Sequence, residues 1–240
     1  MSVFRNFNKK DKKTFCSAVI LAAGNSTRMG EDKSLLLLGG MPVLMRSVKA
    51  FQECGLIDEI IVVTSMDKIQ TVADMCVEYE MKKVKKVIAG GASRMESSLA
   101  GVSSVSKKAK LIAIHDGARP LVSQKLIKNA FYTADEFGSA VPAISSIDTL
   151  REKNGDYIGG TIERDSVVRI QTPQIFEADI IKGALTKAVD MKLELTDDSS
   201  ALAAIGFKIR LVEGDPANIK ITVPVDMPVA EAILHYEESY

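Results

Sequence analysis

Three short runs of apolar residues constrain the fold of this chain more than any other feature. They occupy residues 18–21, 59–64 and 110–115, and the second reads Glu-Ile-Ile-Val-Val-Thr without polar alternation. A continuous β-branched run of this kind indicates a strand buried on both faces, as in a parallel sheet covered by helices. Segments with helical spacing, at 42–54 and 68–79, separate these runs. The alternation predicts right-handed βαβ units and a three-layer α/β/α sandwich around a mostly parallel, Rossmann-like sheet.

The remaining pattern predicts further elements of the same sandwich. Gly55, which follows the first helical segment, is expected to take the positive φ of a helix C′ position, and Gly138 and Gly206 are expected to end two later helices. The other strands are predicted at 84–89, 139–143 and 207–213, and the other helices through 95–102 and at 121–137, 176–191, 196–205 and 224–236.

One region departs from the strand–helix alternation. Residues 148–152 and 157–162 flank Asn154-Gly155, a strong signal for a two-residue hairpin turn. An isolated hairpin is poorly stable in water, so it must pack on the main body or on a second subunit. We therefore expect an N-terminal tail at 1–16 and one domain at 17–240, with an inserted β-arm at about 144–170.

Composition excludes several classes of protein. The 240 residues contain 31 Lys and Arg against 31 Asp and Glu, and this balance argues against a nucleic-acid or membrane-surface binder. No apolar run approaches the roughly 20 residues that a membrane span needs. The three cysteines lack C-x-x-C spacing and indicate reduced, buried thiols. We expect a cytoplasmic protein without nucleic-acid or membrane partners.

Three loops are expected at the carboxyl edge of the sheet, where ligands bind in open α/β folds. They are 22–33, 90–97 and 116–120, the last within the sequence His-Asp-Gly-Ala-Arg-Pro. The first loop matches neither the dinucleotide-binding glycine motif nor the P-loop, since position 29 is Met and Gly30 is followed by Glu31. Its glycines alone could also mark an ordinary tight turn.

Charged residues in these loops favour a phosphate site. Arg28 and Lys33 suit the dispersal of charge from a triphosphate, although a solvated pair of cations would give the same pattern. Asp116 directly follows a buried strand, where a carboxylate commonly holds a hard divalent cation, but it could also brace its loop. Arg119 is expected to brace that loop through Asp116, and His115 to be a hydrogen-bonded residue at the strand end.

Taken together, the motifs resemble the 2-C-methyl-D-erythritol 4-phosphate cytidylyltransferase family. In family order they are Ala22-Ala-Gly-x-x-x-Arg28-Met with Lys33, His115-Asp-Gly-Ala-Arg-Pro120, Thr172-Pro-Gln174, Thr196-Asp-Asp198 and Glu213-Gly-x-x-x-Asn-Ile-Lys-Ile-Thr222. The resemblance implies a nucleotidyltransferase fold with a protruding β-arm, CTP and a sugar-alcohol phosphate as substrates, Mg²⁺ as cofactor, and a homodimer formed through the arm.

The resemblance also implies residue roles. Arg28 and Lys33 would stabilise the transition state, and Arg164 and Lys220 would be catalytic by positioning the methylerythritol phosphate. The nucleotide would be held by Ala22, Ala23, Gly24, Asn25, Gly91 and Ser97. Asp116 would bind Mg²⁺ and lie near the sugar phosphate, and Thr149 and Thr172 would also contact that substrate. Two departures from the family pattern are a shortened spacing between Arg28 and Lys33 and Ala at position 92, where an acidic residue can occur.

Three other functions remain open at the level of sequence. Ribitol-5-phosphate cytidylyltransferase shares most motifs, but Gly117-Ala118 and the doubled Asp197-Asp198 favour methylerythritol phosphate. A dinucleotide-dependent oxidoreductase would need the missing glycine motif and an acidic ribose ligand. A non-catalytic nucleotide-binding module would not need Arg28, Lys33 and Asp116 together. Pyrophosphate release from CTP separates these alternatives.

Overall fold

The computed structural model describes residues 14–24 and 35–238, without the side chains of 237 and 238. The strands in this part of the chain are β1 (Cys16–Leu21), β2 (Leu37–Leu38), β3 (Met41–Pro42), β4 (Glu59–Thr64), β5 (Val84–Ala89), β6 (Leu111–Asp116), β7 (Ser139–Ser145), β8 (Arg151–Asn154), β9 (Tyr157–Thr161), β10 (Val168–Ile170), β11 (Gln174–Glu177) and β12 (Leu211–Glu213). The helices are α1 (Val43–Glu53), α2 (Ile69–Glu78), α3 (Arg94–Ser104), α4 (Gln124–Phe137), α5 (Ala178–Asp190), α6 (Asp198–Ala204) and α7 (Asp226–Glu238).

The main sheet is mostly parallel, as the apolar runs predict. Strands β5, β4, β1 and β6 lie side by side and run parallel. Strand β11 follows in the antiparallel sense between β6 and β7, while β10 pairs antiparallel and β12 parallel with β7. The sequence pattern predicts a helix from about residue 176 and misses β11, since this four-residue strand runs directly into α5.

Two apolar layers enclose the sheet. Every residue of β4 is buried, because its alternate side chains enter opposite layers. Ile60 and Val62 pack with residues of α1, α2 and α4, whereas Ile61 and Val63 pack with residues of α3, α5 and α6. The predicted α/β/α sandwich is therefore confirmed. No helix within the described ranges is long and apolar enough to cross a membrane.

The helix ends agree with the glycine pattern at two positions of three. Gly138 and Gly206 have φ of 78° and 79°, as expected for residues that end a helix in the left-handed region. The prediction for Gly55 is wrong, since its φ is not positive. Helix α1 instead ends at Cys54 in an extended conformation, and the chain leaves without a left-handed residue. Strand β1 begins at Cys16, inside the segment expected to be the tail, and β12 is shorter than predicted.

The predicted arm is built around a two-stranded antiparallel hairpin. Strands β8 and β9 pair across Asn154 and Tyr157, so the two loop residues are Gly155 and Asp156 rather than the predicted Asn154-Gly155, and Gly155, the first of them, has φ of 60°. All of β8 and most of β9 are exposed. The chain rejoins the main sheet through β10, which pairs with residues 143–145 of β7.

Candidate active site

A cleft of about 440 Å³ opens at the carboxyl edge of the four parallel strands. Each strand contributes the residues that follow it: 22–24 after β1, Ser65 and Met66 after β4, 90–94 after β5, and 117–118 after β6. Ser97 of α3, Asp116 at the end of β6 and Lys220 complete the lining together with Leu21. The parallel topology thus brings distant loops to one place, as ligand sites in open α/β sheets require.

The loop after β5 is tightly held beside the first turn of α3. Ser97 Oγ accepts a hydrogen bond from the Gly91 N–H at 3.1 Å and donates one to the Ser93 carbonyl at 2.9 Å. Ser93 caps the helix by accepting from Glu96 N–H, and Glu96 Oε2 accepts from Ala92 N–H at 2.7 Å. Because α3 begins at this loop, the positive end of its dipole faces the cleft, where it favours an anion.

Two glycines allow this loop to approach its neighbours. A Cβ on Gly90 would lie 2.5 Å from Ala23 Cβ and 2.6 Å from Ser97 Oγ. A Cβ on Gly91 would lie 2.3 Å from Glu96 Cβ. The loops after β1 and β5 therefore form one wall, which brings together Ala22, Ala23, Gly24, Gly91 and Ser97 of the predicted nucleotide site.

Asp116 is the centre of a cluster of opposite charges. Its Oδ2 lies 2.8 Å from Lys220 Nζ and 3.7 Å from Arg119 Nε, and its Oδ1 lies 3.3 Å from Arg94 Nη2. Burial alone would raise the pKa of this carboxyl, but Arg94, Lys220 and Arg119 outweigh that effect and hold it well below its usual range. The Asp116 carboxylate is therefore charged at neutral pH.

A hydrogen-bonded chain fixes the backbone beneath Asp116. The Asp116 N–H donates to Thr172 Oγ1 at 3.1 Å, Thr172 Oγ1 lies 3.0 Å from His115 Nδ1, and His115 Nε2 lies 3.1 Å from the Arg119 carbonyl. Since a carbonyl can only accept, His115 carries its proton on Nε2 and accepts from Thr172 at Nδ1. Burial lowers the pKa of His115 to about 4, so the ring is neutral.

These contacts refine the sequence predictions. His115 is the hydrogen-bonded residue expected at the strand end, and Arg119 braces the loop by donating to the Asn218 carbonyl at 2.7 Å as well as through Asp116. Thr172 is 4% exposed and does not line the cleft, because its hydroxyl faces the backbone of Asp116.

The other predicted site residues lie apart from the cleft or outside the described residues. Asn25, Arg28 and Lys33 lie outside the described residues. Thr149 and Arg164 are exposed beside the hairpin, and neither lines the cleft of its own chain. The cleft of one chain is thus lined by the loops at 22–24 and 90–94, by Asp116 and by Lys220, but not by the two arm residues.

Sequence reasoning missed two residues of the charge cluster. Arg94 lines the cleft and lies 2.8 Å from Asp198 Oδ2, as well as 3.3 Å from Asp116. Both carboxylates together outweigh the effect of burial and raise the pKa of Arg94. Two features of the sequence could have identified them. Arg94 is a cation three residues after Gly91, and Asp198 is the second of two consecutive aspartates in the Thr-Asp-Asp motif.

The metal-binding side chains of the cleft suit an ion that takes some of its ligands from a bound substrate. Within the described residues, no group of three or more His, Cys, Asp or Glu side chains could enclose a metal ion. Mg²⁺, however, is typically bound by one or two carboxylates together with substrate phosphates and water. Asp116, charged and facing the cleft, fits that role.

Comparison with known proteins gives a consistent result. The IspD family model, described as 2-C-methyl-D-erythritol 4-phosphate cytidylyltransferase, matches residues 16–236. A protein of that name from Caldanaerobacter subterraneus is 43% identical over 222 residues, which cover 91% of this chain and 98% of the relative. One from Halalkalibacterium halodurans is 36% identical over 224 residues, with 92% and 98% covered.

Solved structures show the same likeness. The 4-diphosphocytidyl-2C-methyl-D-erythritol synthase of Anaerococcus prevotii superposes with a TM-score of 0.83 at 30% identity, covering 93% of this chain and 97% of the other. The 2-C-methyl-D-erythritol 4-phosphate cytidylyltransferase of Thermus thermophilus gives 0.75 at 29% identity, covering 90% and 98%.

Proposed function

The chain belongs to the 2-C-methyl-D-erythritol 4-phosphate cytidylyltransferase family, and we propose that the cleft beyond β1, β4, β5 and β6 is its active site. The reaction transfers CMP from CTP to 2-C-methyl-D-erythritol 4-phosphate and gives 4-diphosphocytidyl-2-C-methyl-D-erythritol and pyrophosphate. It is a step of isoprenoid biosynthesis.

The observation that carries the site assignment is the charge cluster at the end of β6. The reaction must bring two anions together, a triphosphate and a phosphate monoester, and fixed cations reduce their repulsion. Lys220 lies in the cleft with its Nζ 2.8 Å from Asp116 and its side chain 39% exposed. We assign to Lys220 the positioning of the attacking phosphate, and to the loop at 90–97 the binding of the nucleotide.

The chemistry needs no general base. A phosphate monoester has its second pKa at about 6 and is largely dianionic at neutral pH. One of its oxygens attacks the α-phosphorus of CTP, a new P–O bond forms, and the bond to the departing pyrophosphate breaks. The neutral, hydrogen-bonded His115 is consistent with this scheme, since its nitrogens are occupied by Thr172 and the Arg119 carbonyl. Arg28 and Lys33 are assigned to transition-state stabilisation from the family resemblance.

Asp116 is the residue that we assign to Mg²⁺. The ion, when bound, supplies positive charge to the triphosphate and the departing pyrophosphate. The chain's own contribution is to hold Asp116 ionised and in a fixed orientation, through Lys220 and Arg94 on its oxygens and Thr172 on its backbone N–H.

The arm gives a reason to propose a homodimer. Ile147, Tyr157 and Ile158 are 75–80% exposed in the single chain, which leaves apolar surface on a hairpin that packs little against its own body. A partner would bury this surface. We propose that Thr149 and Arg164 reach the cleft of the partner chain and contact the methylerythritol phosphate there.

The experiment is a measurement of pyrophosphate release from CTP with 2-C-methyl-D-erythritol 4-phosphate, with and without Mg²⁺, and with ribitol 5-phosphate in parallel. We expect turnover with the first acceptor and Mg²⁺ only. Equal or faster turnover with ribitol 5-phosphate would contradict the acceptor assignment. CTP binding without pyrophosphate release would contradict the catalytic assignment.

A further inference from the structure

We propose that Asp198 is a positioning residue of the cleft that acts on Asp116 through Arg94. The inference rests on the proposed function, because it assigns a task to Asp116 in the reaction. It concerns a carboxylate that does not line the cleft, at the first residue of α6.

A single guanidinium nitrogen joins the two carboxylates. Arg94 Nη2 lies 2.8 Å from Asp198 Oδ2 and 3.3 Å from Asp116 Oδ1. Arg94 is the first residue of α3 and belongs to the loop at 90–97. Its Nη2 therefore connects this loop both to the start of α6, through Asp198, and to the end of β6, through Asp116. The shorter contact is the one to Asp198.

Asp198 is not needed to start its own helix. Its neighbour Asp197 caps α6, since the Asp197 carboxylate accepts hydrogen bonds from Ser199, Ser200 and the side chain of Gln174. Asp198 is 1% exposed, and its Oδ1 has no hydrogen-bond partner within the described chain. A buried carboxylate is costly unless it is paired, and the contact with Arg94 supplies that partner.

This geometry has a consequence for Asp116. Asp198 anchors Arg94, so that the guanidinium touches Asp116 at the longer distance while Lys220 holds the other oxygen. Without Asp198, Arg94 would be free to shorten its 3.3 Å contact with Asp116 and pair with that carboxylate more tightly, and the loop at 90–97 would move with the helix start. Asp198 thereby keeps the two sides of the cleft at a fixed separation and leaves Asp116 available to substrate.

The test is a double-mutant cycle of R94Q, D198N and the double variant. The readouts are kcat/KM for CTP and, independently, the Kd of CTP from calorimetry. We expect D198N to lower kcat/KM by about tenfold, as is typical when an outer partner of an active-site ligand is removed. The double variant should be no worse than R94Q alone, because Asp198 acts only through Arg94. Losses that multiply, or wild-type kinetics for D198N, would overturn the proposal.

Two controls separate positioning from folding. D197A removes the helix cap next door, so it should lower the melting temperature and leave kcat/KM within about twofold. If D198N does not fold, R94K replaces it: a point charge cannot reproduce the guanidinium bridge, so the same tenfold loss is expected, and wild-type kinetics would count against the proposal. If the wild-type enzyme releases no pyrophosphate, that result contradicts the proposed function instead. The double-mutant cycle can then still be measured through the Kd of CTP, and it still tests the role of Asp198.

Discussion

The two parts of the proposed site differ in how the chain holds them. Asp116 and its surroundings are buried at the end of a central strand, and Asp116 has partners on both oxygens and on its N–H. The arm residues Thr149 and Arg164 are exposed beside a hairpin. The cleft is therefore preorganised within one chain, whereas the hairpin strands of the arm are largely exposed in the described chain. Preorganised charges are the ones that contribute most to catalysis.

The largest effect is expected when the cleft loses the charge of Lys220. Lys220→Met keeps the length of the side chain and removes its charge, so kcat/KM should fall by about 10²–10³. Asp116 retains Arg94, and the fold should persist. Lys125→Met, at an exposed position of α4, is the matched control and should leave pyrophosphate release unchanged. An active Lys220→Met variant would remove Lys220 from the proposed mechanism.

The arm can be tested by mixing two inactive variants. If Arg164 serves the partner's cleft, Arg164→Ala and Lys220→Met chains should complement each other, because a mixed dimer has one intact site. Random pairing would restore about one quarter of wild-type activity after co-refolding. Arg164→Ala mixed with the Lys125→Met variant should give about one half of wild-type activity however the chains pair, so this mixture is the reference for recovery after refolding. No recovery, although mixed dimers form, would show that Arg164 serves its own chain.

The sequence predicted the cleft better than the connections behind it. The runs at 18–21, 59–64 and 110–115 identify buried strands by local composition, and parallel topology then brings their loops together. The bond between Arg94 and Asp198 joins residues 104 positions apart, and no local pattern encodes that pairing. Strand β11 was missed for the same reason, since its pairing with β6 and β7 is set by tertiary contacts rather than by its four residues.

Lowering the pH should reduce the stability of the protein through His115. Its pKa is about 4 in the fold against 6.5 for a free histidine side chain, so between these pH values the unfolded chain binds a proton that the native ring does not. The free energy of unfolding should therefore fall as pH drops from about 6.5 to 4, by roughly 3 kcal/mol in total from this residue. Urea unfolding of the wild type and His115→Asn across this range measures it. The stability gap between them should narrow towards pH 4, and a constant gap would refute the assignment.

The smallest effects are expected from two glycine substitutions, one in the core of the sandwich and one in the exposed hairpin. A Cβ on Gly101 of α3 would lie 2.3 Å from Val19 Cγ1 and 2.9 Å from Val63 Cγ2, so Gly101→Ala should lower global stability by about 1–3 kcal/mol. Gly155, at the tip of the arm, has φ of 60° and no atom within 4 Å of its Cβ position. Gly155→Ala should cost about 1 kcal/mol, but only in the arm.

Hydrogen exchange resolves the two cases. Gly155→Ala should speed exchange in β8 and β9 and leave β1 and β4 unchanged, whereas Gly101→Ala should speed exchange in β1 and β4. Gly183→Ala is the matched control on α5, where nothing lies within 4 Å of the new Cβ, and it should stabilise the protein slightly, since Ala favours a helix interior over Gly. If Gly155→Ala lowered protection in β1 and β4 as well, the arm would be energetically coupled to the sandwich, and the contrast between a self-supporting cleft and a partner-dependent arm would fail.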